Sequence, residues 1–225
     1  MGGIPAVDWA LVARSVGPIV SGALTGTVPL AAVSFAGGMV LAVGVALARM
    51  SRRRMLAGAA RAYVSVIRGT PLLVQLFVVF YGLPSLGLVI SPWPSAIVAF
   101  SLNVGGYAAE IVRAAILSVP KGQWEAAYTI GMSRRLTLTR IVVPQAARVA
   151  VPPLSNTFIA LVKDTSLASL ILVTELFRRA QQIAAFSQQF MLLYVEAALV
   201  YWVICLGLSV GQSHLERRLD RHVAH

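Results

Sequence analysis

Charge is scarce in this 225-residue sequence. Asp, Glu, Lys and Arg together make up 12% of it, about half the share of an ordinary soluble domain. Acidic residues are rarer still, 8 against 19 basic ones. The single cysteine, Cys205, sits in an apolar run; it cannot close an internal disulfide and reads as packing. No Gly-x4-Gly-Lys-Ser/Thr phosphate loop is present, and the two lysines, Lys121 and Lys163, stand outside any such context. The chain therefore has no evident means of powering itself with ATP. No His-Glu-x-x-His or Gly-x-Ser-x-Gly pattern occurs, and the histidines (His214, His222, His225) are confined to the C-terminal tail. No metal site, cofactor or catalytic residue is expected. Strand-like alternation and internal repeats are missing as well.

What the sequence does have is apolar length: 58% of residues are hydrophobic and the mean hydropathy is +0.79. Runs of this kind indicate an all-α, polytopic membrane protein, a single domain over 1–225 with about five spans. The net charge of +11 would point to nucleic acid in a soluble chain. Here the basic residues cluster between apolar runs, as topology signals do, and no basic segment carries interleaved stacking aromatics. Residues 1–17 read as a short lead-in, with Pro5 and Pro18 as breaks. They contain Asp8 and Arg14 but no compact apolar core, so no cleavable signal is expected.

The predicted spans run from about Ile19 to Ala48, Ala59 to Leu83, Ser95 to Val119, Val149 to Phe177 and Phe190 to Val210. Arg49 and Arg52 to Arg54 follow the first span, and five basic residues between Lys121 and Arg148 follow the third. Both segments are assigned to the cytoplasm. The uncharged connection from Pro84 to Pro94 and the polar one over 178–189 fall outside. Five spans then place the N-terminus outside and the C-terminus inside a bacterial inner membrane. Span four contains Pro152-Pro153 and is interrupted at Lys163-Asp-Thr-Ser166.

An unpaired charge costs about 2.5–3.5 kcal/mol near the bilayer centre, so charges inside spans need a reason. Arg68 and Glu110 lie at similar depth, with Arg113 one turn from Glu110. They form either a buried structural pair or, for Glu110, a substrate-facing group. Lys163 and Asp164 are adjacent, so their side chains diverge by about 100° on a helix. With Thr165 they mark an interrupted helix, the kind of place where transported zwitterions are held. The alternative is a salt bridge to another span or subunit. Pro71, after Arg68-Gly-Thr, is a bend that either hinges or is static.

The most informative stretch is the polar insert after span three. A helix beginning near Lys121 or Gly122 places Glu125 in its first turn, where the helix dipole favours a carboxylate. Ala126 and Ala127 keep its surface low, Gly131 suits a left-handed helix end, and Ser133 can cap a second helix. The result is a small knobbed helix, either a partner-docking element or an ordinary interfacial loop.

The spacing Glu125-Ala-Ala, three residues, Gly131, nine residues, Ile141, one residue, Val143-Pro144 resembles the EAA loop of bacterial ABC importer permeases. It departs only at Val143, where leucine is usual. Arg68-Gly-Thr-Pro-Leu72 with Gln75, Gly106-Tyr-Ala-Ala-Glu110 with Arg113, Lys121-Gly-Gln-Trp-Glu125 and Lys163-Asp-Thr-Ser-Leu167 are similar to the polar amino acid (histidine, glutamine or arginine) subfamily. The resemblance covers roughly residues 19–215. It implies a five-helix permease subunit, not an enzyme, that pairs with a second copy or a related permease. It implies two cytosolic ATP-binding subunits docking on Glu125, Ala126, Ala127 and Gly131 of the coupling helix (about 121–135). It also implies an external solute-binding protein and a polar amino acid as substrate. The competing readings are a self-sufficient ion-coupled amino acid carrier using Glu110, Lys163 and Asp164, and an intramembrane enzyme.

Overall fold

The structure, a computed structural model, describes residues 8–220; the expected break at Pro5 and the tail residues His222 and His225 lie outside this range. Nearly all of it is helical. The helices are α1 (Trp9–Arg49), α2 (Arg54–Gly69), α3 (Leu72–Leu86), α4 (Pro92–Ser118), α5 (Lys121–Thr129), α6 (Arg134–Ile171), α7 (Leu176–Ser187) and α8 (Phe190–Asp220). Among the described residues three helices are long and apolar enough to cross a membrane unbroken. Two bent pairs, α2–α3 and α6–α7, bring the number to five if each pair is one span.

α1 starts earlier than the sequence suggests. Asp8 caps it, its Oδ1 accepting the Leu11 N–H at 3.0 Å, and the helix runs on through Pro18. A π-helical turn over Ala23–Thr27 follows, directly ahead of Pro29. At 41 residues the helix is about 60 Å long, twice a hydrocarbon core, so it tilts or projects. It packs along α4, and small residues set the approach. A Cβ on Gly38 would lie 2.5 Å from Val104 Cβ, and one on Gly106 would lie 2.5 Å from Ile67 Cγ2 of α2. In lipid such close contact, rather than apolar burial, holds helices together. Phe100, Leu30, Leu76, Val104 and Ile171 lie at the centre of the core.

The expected second span is not one helix. The chain turns by 108° between α2 and α3, with Thr70 extended ahead of Pro71, as a residue before proline prefers. Gln75 satisfies the opened backbone: its Nε2 donates to the Ile67 carbonyl at 2.8 Å and to Thr70 O and Oγ1 at 3.1 and 2.9 Å. α2 itself is amphipathic. Ala57, Ala60, Val64 and Ile67 are buried, whereas Arg54, Arg61 and Arg68 recur every seventh residue on the exposed side.

The fourth span also differs from expectation. α6 runs continuously from Arg134 through Pro144, Pro152 and Pro153, with a π-helical turn at Leu138–Val142. Pro144 falls in the first turn after that irregularity, where its missing N–H costs little. At Thr165 the winding tightens to a 3-10 helix that ends with Leu172 at φ 66°. The segment 178–189, expected as a connection, is mostly helix α7. Glu175 starts it, its Oε1 accepting the Arg178 N–H at 2.6 Å.

Candidate functional site: a polar cavity, an arginine cluster and a surface helix

Three groups of polar residues stand out. The first is a cavity of about 290 Å³ at the α2–α3 corner, bounded by Thr70, Pro71, Asn103, Tyr107, Thr157 and Asp164. Asn103 is held in place by donating its Nδ2 to Gln75 Oε1 at 3.0 Å, so the residue that repairs the corner also orients an amide in the cavity. Asp164 brings a carboxylate from the end of the α-helical part of α6. Lys163, one residue earlier, opens instead onto a separate cavity with Ser166, Tyr201, Trp202 and Cys205. The divergence expected of neighbouring helical residues is therefore realised, and the acid and the base do not face one space. Thr165 lines neither cavity. It is fully buried and donates its hydroxyl to the Val162 carbonyl at 2.8 Å.

The second group centres on Glu110. Arg49 Nη1 donates to its Oε2, and Arg113 donates to its Oε1 through Nη2 at 2.7 Å and Nε at 3.2 Å. Arg68 stands farther off, its Nη1 4.0 Å from Oε2. The structure thus brings Arg68, Glu110 and Arg113 together, but the tightest partner from another helix is Arg49. Sequence reasoning missed it because Arg49 reads as the first member of the loop cluster Arg49 and Arg52–Arg54. The signal was its place directly after Ala48 at the end of the apolar run, apart from Arg52–Arg54; the structure makes it the last residue of α1. Two further acids also escaped notice. Glu175 is fully buried, with its Oε2 accepting from Tyr201 Oη at 2.7 Å and Thr27 Oγ1 at 3.2 Å. Glu196 accepts from Ser15 Oγ at 2.6 Å.

The third group is α5, which lies across the arginine-rich end. Trp124 and the buried Ala127 anchor it: Trp124 packs with Met50 and Ile111 against the cluster of Ala115, Val119 and Val142. Gly131 takes φ +82°, and the Met132 N–H returns to the Ala127 carbonyl at 3.0 Å, with Gly131 N–H to Tyr128 O at 3.0 Å. These two hydrogen bonds close the helix end. Ser133 Oγ then accepts the Leu136 N–H at 3.4 Å to start α6. Glu125 and Ala126 are exposed, and so are Tyr128 (47%) and Ile130 (76%). A short rigid helix presents an apolar knob and a carboxylate to whatever lies beyond.

Residues 38–221 match the family profile described as binding-protein-dependent transport system inner membrane component. The chain belongs to that family. Among its relatives, the L-cystine transport system permease protein TcyB of Bacillus subtilis (strain 168) is 60% identical over 220 residues, 97% of this chain and 94% of that one. The glutamine transport system permease protein GlnP of Escherichia coli (strain K12) is 36% identical over 214 residues, 94% and 97% of the two chains. The fold superposes on the crystal structure of an amino acid ABC transporter with histidines at a TM-score of 0.89, with 33% identity and 95% and 99% coverage. This permease is accordingly a multi-pass membrane subunit of an ABC importer, and hydrolysis of ATP belongs to separate subunits. Family membership also implies a solute-binding protein and a permease partner.

Proposed function

We propose that this permease forms the passage for a polar amino acid, with L-cystine the first substrate to test, and that the Asp164 cavity holds it in transit. The observation that carries this reading is the cavity itself. It joins a carboxylate, an oriented amide and the Thr70 and Thr157 residues at a broken helix, the combination an α-ammonium and its neighbours require. The exposed face of α2 supports it: a row of arginines cannot face lipid cheaply, so that side of the permease lines water. The segment around α5 is proposed to face the cytoplasm and to dock on the ATP-binding subunits through the exposed Glu125, Ala126 and Gly131. Ala127, expected among the docking residues, is buried against the permease's own core and holds the helix in place instead. The N-terminus then lies outside and the C-terminus inside the inner membrane. Two ATP-binding subunits, an external binding protein and a second copy or homologous permease complete the importer.

The test uses the importer assembled with its ATPase and binding protein in vesicles. Asp164→Asn removes the charge but not the volume. It is expected to lower ATP-driven uptake about tenfold or more, the worth of one charge-assisted hydrogen bond, while the complex still assembles. Uptake within about twofold of the unaltered importer would remove Asp164 from the site.

A further inference from the structure

The Asp164 cavity contains no cation to receive a carboxylate, because Lys163 opens elsewhere. A zwitterion held there by its ammonium must find its other partner nearby. The chain offers one two residues before Thr70. Arg68 opens onto a neighbouring cavity of about 430 Å³, and Tyr107 lines both spaces. The Arg68 guanidinium lies 5.7 Å from the centroid of the Tyr107 ring.

This second cavity is strongly biased in charge: Arg49, Arg61 and Arg68 line it against the one acid Glu110. Arg49 and Arg113 take one oxygen each of that carboxylate. Arg61 turns its Nε back to the Ala57 carbonyl at 3.2 Å. Arg68 has five N–H donors and makes no hydrogen bond with any of them among the described residues; its side chain is 47% exposed and its only ion-pair approach is the 4.0 Å one to Glu110. A planar, unsatisfied guanidinium beside an open polar space is built for a bidentate oxyanion.

We infer that this cavity is a second subsite, nearer the cytoplasm, which receives the α-carboxylate of the amino acid on Arg68 as the substrate leaves Asp164 past Tyr107. The inference rests on the Asp164 reading of the first cavity. Glu110 keeps the subsite from holding its guest too tightly, as passage requires sites that bind and release. Arg61 and Arg54, each seven residues or about 10.5 Å further along α2, continue the positive face toward the arginine-rich end.

The experiment compares Arg68→Gln, Arg68→Lys and Asp164→Asn in the full importer, with radiolabelled L-cystine as the probe. It reads equilibrium binding to the resting complex and ATP-driven uptake. Vesicles are made of zwitterionic lipid alone and of the same lipid with added phosphatidylglycerol. Arg68→Gln is expected to cut uptake about tenfold in both kinds of vesicle while binding falls less than about twofold; Arg68→Lys recovers part of the uptake because the charge remains. Three results overturn the subsite. They are uptake by Arg68→Gln within about twofold of the unaltered importer, a loss confined to vesicles with anionic lipid (a lipid phosphate is then the guest), and equal loss of uptake and thermal stability in both Arg68 variants. Undiminished binding by Asp164→Asn would instead overturn the first cavity, and is read separately from the Arg68 uptake loss.

Discussion

The close approach of α1 to its neighbours makes a graded prediction possible. Alanine at Gly44 would place its Cβ with nothing within 4 Å, so Gly44→Ala should be neutral or stabilising by up to about 1 kcal/mol through helix propensity. At Gly38 the new Cβ would lie 2.5 Å from Val104 Cβ and Cγ1 and 3.0 Å from the Ser101 carbonyl. Overpacking of this kind costs about 1–3 kcal/mol, offset in part by the same propensity gain. At Gly26 the obstacles are backbone atoms, Glu175 Cα and the Thr174 carbonyl, each 2.6 Å away. No side chain can swing aside there, so the cost should sit at or above the top of that range. The expected order of destabilisation is Gly26→Ala, then Gly38→Ala, then Gly44→Ala. Only the middle variant has a removable obstacle. Val104→Ala opens a cavity of its own, yet combined with Gly38→Ala it should be less harmful than the two single costs added, by about 1–2 kcal/mol of coupling. Thermal inactivation of the detergent-solubilised permease, followed as loss of the monodisperse chromatographic peak, ranks the variants. If Gly38→Ala matches Gly44→Ala, or if Val104→Ala gives no relief, α1 and α4 do not pack as described.

Two further predictions concern groups away from the cavities. Glu175→Ala removes a helix cap and leaves the Tyr201 and Thr27 hydroxyls without their acceptor. It should cost about 2–4 kcal/mol, and Glu175→Gln, which keeps an acceptor oxygen, clearly less; equal melting temperatures for the two would show that the carboxyl oxygens do not hold this junction. Gly131→Trp places a bulky residue where φ is +82° on the presented side of α5. The altered permease should still insert but hydrolyse ATP without transport, and a normal ratio of substrate moved to ATP consumed in vesicles would refute docking through this turn.

The sequence made local features readable and distant juxtapositions not. The helix–turn–helix at Lys121–Thr137 follows from Gly131 and Ser133, whose effects act within one turn. Broken winding near Asp164 was likewise visible in the run of charge and hydroxyl residues. By contrast, Pro71 marks a bend but not a 108° corner, because a proline in an apolar run reports a break and not its angle. The corner's signal was Thr70-Pro71 followed by Gln75, a side chain long enough to reach back to the exposed carbonyls. The helix Leu176–Ser187 was read as a loop for another reason: it is polar and short. Its start depends on Glu175, a poor capping residue by composition that becomes one through burial against Thr27 and Tyr201. The seven-residue recurrence of Arg54, Arg61 and Arg68 was in plain view, yet only the helix placed them on one face.

The consecutive residues Lys163, Asp164 and Thr165 sit where α6 changes its winding. On a continuing α-helix, each step turns the side chain by about 100°, so three neighbours can reach three environments. Here Asp164 faces the cavity shared with Thr70 and Tyr107, Lys163 faces the far side beside Tyr201 and Trp202, and Thr165 is buried between. The tighter winding begins at Thr165 and leads directly to Glu175 and α7. A shift of this one turn would therefore move the Asp164 carboxylate, the lysine and the Glu175 junction with α1 together. α6 also begins at Arg134, capped by Ser133, only a tight turn after α5 ends at Thr129. Displacement of the surface helix thus passes through one tight turn into a single continuous helix that reaches the cavity. Along that path the π-helical turn at Leu138–Val142 and the 3-10 segment from Thr165 are the two places where winding departs from α, and so where rotation can be taken up without breaking the rod.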